Sequence, residues 1–266
     1  MKVYKYEATG NDFILTKLKP NNPQKFAQSI CNRHFGIGAD GILYPSKSDL
    51  ADIKMNYYNA DGSLAKMCGN GIRAFARFLA DEQIVLKDMF TIETLAGIKT
   101  VEMIDQEIKV HIGAVNLRVG LPELTQSIDG NIPYLFDDYL GYVLSVGTLH
   151  TVVYRNETRD LDILKAGPII QNDMLFNEQP NVNFVSILNK NTIAVETFER
   201  GSGWTLSCGT GAVASAYHAF IKGYIKDKNI QVDVPGGTLK IEIFNDQVCL
   251  IGPAKRIMEG KFNEKN

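Results

Sequence analysis

Two cysteines stand in the same short phrase, Cys68-Gly69-Asn70-Gly71 and Cys208-Gly209-Thr210-Gly211. Each phrase opens an alanine-rich stretch of helical spacing, residues 72–79 and 212–220. A unit that recurs at long range in a chain points to duplication. A cysteine at a helix start lies beside backbone N–H groups that have no partner within the helix; these attract carboxylates and favour thiolate over thiol. The flanking glycines let a ligand approach the backbone closely. Two such thiols can work together on one carbon. One thiolate takes a proton from a stereocentre while the other thiol delivers a proton to the opposite face. An ordinary cysteine, with a pKa of about 8.5, is a weak base for an amino-acid Cα–H. The site must therefore stabilise a developing carbanion, with N–H groups aimed at the substrate carboxylate in a dry cavity.

Competing uses of the same residues are weaker. Cys31 lies on a helical stripe and Cys249 within Val248-Cys249-Leu250-Ile251, the usual setting of a cysteine that packs as a small hydrophobe. No Cys-x-x-Cys pair and no close pair among His34, His111, His150 and His218 suggests zinc, so no metal is expected. A cysteine hydrolase would need one thiolate and a histidine base, which His150 could supply, but it leaves the second phrase without a role. Gly36-Ile37-Gly38-Ala39-Asp40-Gly41 matches the dinucleotide fingerprint, yet it follows a helical segment and leads into Ile42-Leu43-Tyr44-Pro45; both flanks are wrong, and it reads as a turn-rich loop. Nothing requires pyridoxal phosphate.

The elements that must position the thiols are mostly strands. Segments 13–16, 52–58, 90–94, 99–104, 108–112, 142–146, 182–188, 192–198, 230–234 and 238–243 are short and partly alternating. Helices are fewer: residues 23–33, with Phe26, Ala27 and Ile30 as an apolar stripe, and the two stretches after the cysteines. Each half is expected to be a curved antiparallel sheet with one buried alanine-rich helix against it. A soft boundary falls at residues 114–133, where Pro122, Gly130 and Pro133 gather.

The bulk numbers set the frame. A chain of 266 residues with 45% hydrophobic content can build two domains with full cores. A net charge of −2 and the lack of a basic run give no reason to expect nucleic acid. No segment reaches the roughly 20 apolar residues of a membrane span, and the start, Met1 to Glu7, lacks the apolar stretch of a signal peptide. Four scattered cysteines do not make a disulfide scaffold. A cytoplasmic protein with reduced thiols, bound neither to membrane nor to nucleic acid, is the expectation.

In order along nearly its whole length, the chain carries Gly10-Asn11-Asp12-Phe13, Arg33-x-x-Gly36-Ile37-Gly38-Ala39-Asp40-Gly41 and Asn59-Ala60-Asp61-Gly62-Ser63. These are followed by Met67-Cys68-Gly69-Asn70-Gly71-x-Arg73, Asn181-Val182-Asn183-Phe184-Val185, Glu199-Arg200-Gly201, Ser207-Cys208-Gly209-Thr210-Gly211 and Pro235-Gly236-Gly237. Together they resemble the diaminopimelate epimerase family. The resemblance implies an α+β fold of two pseudo-symmetric domains, each a β-barrel-like antiparallel sheet wrapped around a central α-helix, with the site in the cleft between them. It places the domains at residues 1–115, carrying Cys68, and 116–266, carrying Cys208, with the last strand, near Met258, returning to the first. It implies Cys68 and Cys208 as the acid/base pair, and Gly69, Asn70, Gly209 and Thr210 as N–H donors to the reacting carboxylate. Asn11, Asn59, Thr148, Asn181, Glu199 and Arg200 would hold the substrate, and His150 and Glu199 would tune the thiols. It implies a small-molecule amino-acid substrate, no cofactor and a homodimer.

Two places depart from the family. Gly147-Thr148-Leu149-His150 stands where the family usually has Gly-Asn-Pro-His, and Trp204 stands where it commonly has glutamate. The expected reaction is inversion at Cα without cofactor, from LL- to meso-diaminopimelate. The alternative is racemisation of another amino acid such as histidine, whose aromatic tail would suit Trp204. A cysteine hydrolase and a non-catalytic binding protein stand behind these.

Overall fold

The first strand buries one whole face, Tyr4, Tyr6 and Ala8, and on the other face buries Val3 ahead of Lys5 and Glu7, so both of its sides must be covered at least in part. The computed structural model describes residues 1–155, 162–245 and 247–263. The chain forms two compact units, Met1–His111 with Ile251–Asn266, and Ile112–Leu250.

In the first unit β1 (Lys2–Ala8) turns through Thr9 and Gly10 into antiparallel β2 (Asn11–Leu15). Helix α1 (Pro23–Ile30) follows, started by Asn22, whose side chain accepts from Lys25 N, and by Pro23 in its first turn. Strand β3 (Gly41–Ser46) then lies parallel to β2, and β4 (Ile53–Asn59) antiparallel to β3. Helix α2 (Gly69–Asp81) leads to β5 (Met89–Thr94), parallel to β4, and the meander closes with β6 (Gly97–Ile104) and β7 (Glu107–Ala114).

The second unit repeats this plan. After a small ladder of β8 (Arg118–Val119) and β9 (Ile128–Asp129), β10 (Tyr134–Phe136) pairs with β11 (Tyr139–Ser145), and β11 with antiparallel β12 (Leu149–Tyr154). Helix α3 (Ile163–Gln171) leads to β13 (Asn181–Ile187), parallel to β12, and β14 (Thr192–Glu199) is antiparallel to β13. A three-residue strand, β15 (Gly203–Thr205), folds back on β14. Helix α4 (Gly209–Ile221) leads to β16 (Asn229–Val234), parallel to β14, and then come β17 (Gly237–Phe244), antiparallel to β16, and β18 (Gln247–Pro253). The last strand, β19 (Lys255–Lys261), pairs antiparallel with β1.

Each unit is thus a mainly antiparallel sheet wrapped on one helix, α2 or α4. Both units add something the sequence pattern does not announce. Parallel neighbours occur wherever a helix intervenes, because two parallel strands need a crossover of a dozen or more residues and each helix supplies one. A second helix, α1 or α3, covers the outer face. In the first unit Phe13 on β2 meets Gly71 of α2, while Ile14, its neighbour, packs with Phe26 and Ile30 of α1. In the second, Asn183 on β13 meets Gly211 of α4, while Phe184 packs with Ala166 and Ile170 of α3.

The wrapped helices carry small residues because the sheet leaves them no room. A Cβ on Gly211 would lie 2.2 Å from Asn183 Oδ1 and 3.1 Å from Thr197 Oγ1. The nearest atoms to a Cβ on Gly71 would be Phe13 ring atoms and Cys68 Cβ, each at 3.4 Å. Glycine in a helix interior otherwise costs about 1 kcal/mol relative to alanine. The two substitutions should therefore diverge. Gly71→Ala is expected within about 1 kcal/mol of the parent, and Gly211→Ala to destabilise by about 1–3 kcal/mol. Urea unfolding of both variants checks this; equal effects would show that the Asn183 contact yields freely.

Candidate functional site

Both cysteines take the same local role. Cys68 and Cys208 are the N-cap residues of α2 and α4, extended in backbone, and each sulfur accepts from the amide three residues on, Gly71 N or Gly211 N, at 3.4 Å. Gly69 and Asn70 form the first turn of α2, and Gly209 and Thr210 that of α4. Cys208 is buried and Cys68 half-buried.

In the first unit Cys68 Sγ donates to Asn11 Oδ1 at 3.6 Å. The amide of Asn11 cannot turn over, because its Nδ2 donates to Asp40 Oδ2, an acceptor only. The same carboxylate oxygen accepts from Asp12 N, and Asp40 O accepts from Ala60 N at 3.0 Å. Asn59 closes the turn that follows: its Nδ2 donates to Ser63 Oγ at 3.0 Å, and its carbonyl accepts from Gly62 N. Asp40 thus joins the Asn11 and Asn59 segments. Its charge and that of Asp12 are matched by Arg33, which donates to both at 2.8 Å, and by Lys5, 2.8 Å from Asp12. Burial raises the Asp12 carboxyl, and Arg33 and Lys5 outweigh it, leaving the group below its ordinary value. The 33–41 loop is built on the end of α1, with Gly36, Ile37, Gly38 and Ala39 amides donating to Asn32, Ile30 and Cys31 carbonyls.

In the second unit the polar groups form a directed chain. Thr197 Oγ1 donates to Asn183 Oδ1 at 3.1 Å, so Asn183 Nδ2 faces His150 Nδ1, also at 3.1 Å, and Thr151 O. An amide N–H can only donate, so Nδ1 accepts and the proton of His150 sits on Nε2. That N–H points at Thr148 Oγ1, 3.1 Å away, and the threonine's own hydrogen is left for another acceptor. His150 is fully buried, and burial pushes its pKa down to about 3; the Asn183 contact opposes this and the Arg200 charge adds to it. A neutral ring with both nitrogens engaged is a poor general base, which weakens the hydrolase reading. Asn181, beside His150 in the β12–β13 register, accepts from Arg200 N at 2.9 Å. Glu199 Oε1 accepts from Thr205 Oγ1 at 2.6 Å, and Arg200 Nη1 donates to Glu178 on the surface. Thr210 Oγ1 is 3.6 Å from Cys208 Sγ.

One expectation fails. Trp204 does not share a face with Thr205 and Glu199. In the β14–β15 register Thr205 pairs with Thr197 and Gly203 with Glu199, on the α4 side; Trp204 pairs with Phe198, whose ring packs on Gly167 of α3. The indole, 42% exposed, donates to Glu196 Oε1 at 3.3 Å, and Arg155 holds the other oxygen of that carboxylate. Strand alternation therefore turns the aromatic plane away from Cys208, and it gives no argument for an aromatic substrate. Sequence reasoning also passes over Asp40, Arg33, Asn183 and Thr197; the first three stand inside the quoted motifs, but only the chemistry of their neighbours stands out there. Among the described residues no three His, Cys, Asp or Glu side chains converge as a metal site would.

Two repeated halves, each with an N-capping cysteine, define the class, and comparison supplies the family. The profile of the diaminopimelate epimerase family matches residues 3–118 and again 142–257. The chain is 41% identical to the diaminopimelate epimerase of Alkaliphilus metalliredigens, over 98% of this chain and 97% of that one. It is 38% identical to that of Clostridium perfringens, over 98% and 99%. The chain belongs to the diaminopimelate epimerase family. The fold is shared more widely. A PhzF-family phenazine biosynthesis protein of Bacillus anthracis superposes with a TM-score of 0.71 at 17% identity, covering 99% of each chain. A hydroxyproline epimerase of Agrobacterium vitis does so with 0.61 at 12%, covering 98% and 91%.

The buried histidines carry a pH signature. His218 Nε2 faces the Gly130 carbonyl and its Nδ1 accepts from Tyr154 OH at 2.8 Å; burial lowers its pKa to about 4. Both histidines have folded values below the ordinary 6.5, so the unfolded chain binds more protons between those limits. Their stabilisation is complete above pH 6.5 and is lost as pH falls toward 4 and 3. Chemical denaturation from pH 7 down to 4 should show stability falling by up to about 1.4 kcal/mol per pH unit for each ring. His150→Asn should lose one ring's share; an unchanged slope would mean that His150 is already charged in the fold.

Proposed function

We propose that the protein inverts the Cα configuration of an amino acid by two-base proton transfer, with LL-diaminopimelate converted to meso-diaminopimelate. The observation that carries the reading is the twofold occurrence of a cysteine capping a wrapped helix, its sulfur meeting the amide three residues on. In the proposed step one sulfur, as thiolate, takes the Cα proton, and the C–H electron pair passes into the carboxylate as an enediolate-like carbanion. The other sulfur, as thiol, gives its proton to the opposite face and is left as the thiolate. The reverse reaction exchanges the two roles. No redox change occurs and no cofactor is needed.

The other assignments follow the chemistry of each group. First-turn amides at Gly69, Asn70, Gly209 and Thr210 suit the charge that grows on the reacting carboxylate. Asn11, Asn59, Thr148 and Asn181 offer neutral donors and acceptors, and Glu199 with Arg200 offers charges of both signs for a distal zwitterion. Glu199, beside Thr205, and His150, kept neutral, are proposed to act on the thiols. All four cysteines are thiols rather than disulfide partners, in keeping with a cytoplasmic compartment. A homodimer is part of the proposal.

The second reading, a racemase of another amino acid such as histidine, now rests on Thr148 and Leu149 alone, since Trp204 faces away. In deuterium oxide, LL-diaminopimelate is expected to gain solvent deuterium at Cα without added cofactor. Cys68→Ser and Cys208→Ser should each slow inversion by about 10²–10⁴-fold. Turnover of L-histidine above that of LL-diaminopimelate would transfer the assignment to the second reading. Loss of activity from only one serine variant would defeat the two-base mechanism.

A further inference from the structure

Among the buried positions at which the two wrapped helices differ, one exchanges a cation for an apolar side chain. Five residues after Cys68 stands Arg73; five residues after Cys208 stands Val213. Arg73 is completely buried, and its guanidinium donates only to neutral acceptors: Gly69 O at 3.0 Å, Thr9 Oγ1 at 3.1 Å and Pro253 O at 3.3 Å. Among the described residues no carboxylate lies within ion-pair distance of it. A buried cation without a counter-ion is costly and needs a reason.

The side chain's course supplies one. Helical side chains lean toward the N-terminus, so Arg73 reaches back along α2 until one Nη meets the carbonyl of Gly69, the residue next to Cys68. The other charged groups around this end are already matched. Asp12 and Asp40, behind Asn11, face Arg33 and Lys5, and Glu7 on β1 is 3.3 Å from Lys255. Asn11 turns its carbonyl oxygen to Cys68, which suits the protonated thiol. Something must offset that preference when Cys68 gives up its proton.

We propose that Arg73 is a positioning residue that serves as the fixed counter-charge for the Cys68 thiolate, a device that Cys208 does not share. Burial pulls the guanidinium down to about 10, and the charges of Cys68 and Glu7 oppose that fall, as expected for groups that sense each other. At that value Arg73 stays cationic throughout the neutral range. Arg73 and Cys68 lie in one unit, so the inference concerns the ionisation of one thiol; only its use in catalysis rests on the two-base reading.

The test reads ionisation without turnover. Iodoacetamide alkylation of Cys68 and Cys208 is followed between pH 5 and 10 by peptide mass spectrometry in the parent, Arg73→Met and Arg73→Lys. In Arg73→Met the midpoint for Cys68 is expected to rise by at least one pH unit, a tenfold loss of thiolate at a given pH, while that for Cys208 stays put. Arg73→Lys, which keeps the charge, should restore most of the shift. A Cys68 midpoint unmoved in a folded Arg73→Met, or one that moves equally in Arg73→Lys, overturns the proposal and leaves Arg73 as a structural tie. Should Arg73→Met fail to fold, the parent decides: a Cys68 midpoint at or above that of Cys208 overturns it. Failure of the deuterium-exchange experiment with this shift intact would count against the reaction and not against the counter-charge.

Discussion

A helix wrapped by a sheet cannot hand its first amides to water, and this constraint governs both halves of the molecule. In each half the duty falls on a cysteine cap. Serine, threonine, aspartate or asparagine would cap more strongly, because sulfur is a weak acceptor. Asn22 and Asp162 do so at α1 and α3, the outer helices. The chain therefore uses ordinary caps where a helix start only has to be stable, and sulfur where the helix is enclosed. Helix stability does not explain that division; the thiol chemistry proposed for these two positions would.

Enclosure also decides which side of the sheet can matter. With α4 on one face and α3 on the other, strand alternation sorts the residues of β13, β14 and β15 into two groups. Asn183, Thr197, Glu199 and Thr205 belong with α4, while Phe184, Phe198 and Trp204 belong with α3. The glycine at the third position of α4 is a result of this sorting, because its Cβ would occupy the place of the Asn183 oxygen. The polar chain starts at Thr197 and Asn183, which lie against Gly211 of that helix, and runs through buried His150 to half-buried Thr148.

Much of this can be read from the residues themselves. The caps, the two enclosed helices and most strands follow from glycine placement and period-two alternation. Several elements do not, β3 and β18 among them, and four others show why. Strand β12 is buried on both faces almost throughout, polar His150 and Thr151 included, so it shows no period. Strand β19 is largely exposed and is held by its backbone ladder to β1, which leaves no hydrophobic signature. Strand β1 alternates lysine with buried aromatics, a pattern easily taken for an ordinary polar start. Helix α3 contains Gly167 and Pro168, both helix breakers, and persists because Gly167 makes room for the Phe198 ring. At the site, the sequence misleads on Trp204 because facing is a property of register, and a three-residue strand carries too little pattern to reveal it.

The duplication copied the backbone and not the polar wiring. In the first half the chain of fixed hydrogen bonds runs from Asp40 through Asn11 and ends by presenting an acceptor to sulfur. In the second it runs from Thr197 through Asn183 and His150 and ends on a hydroxyl whose hydrogen is free to be donated. A buried arginine backs the first cysteine and a valine stands at the matching place behind the second. The proposed two-base transfer would need one sulfur with a proton and one without at each moment, and two identical environments would serve it poorly. The divergence at residues 11, 73, 183 and 213 lies within halves that keep the same fold, and at residues 11 and 73 it falls beside the Cys68 end of α2, where the proposed counter-charge would act.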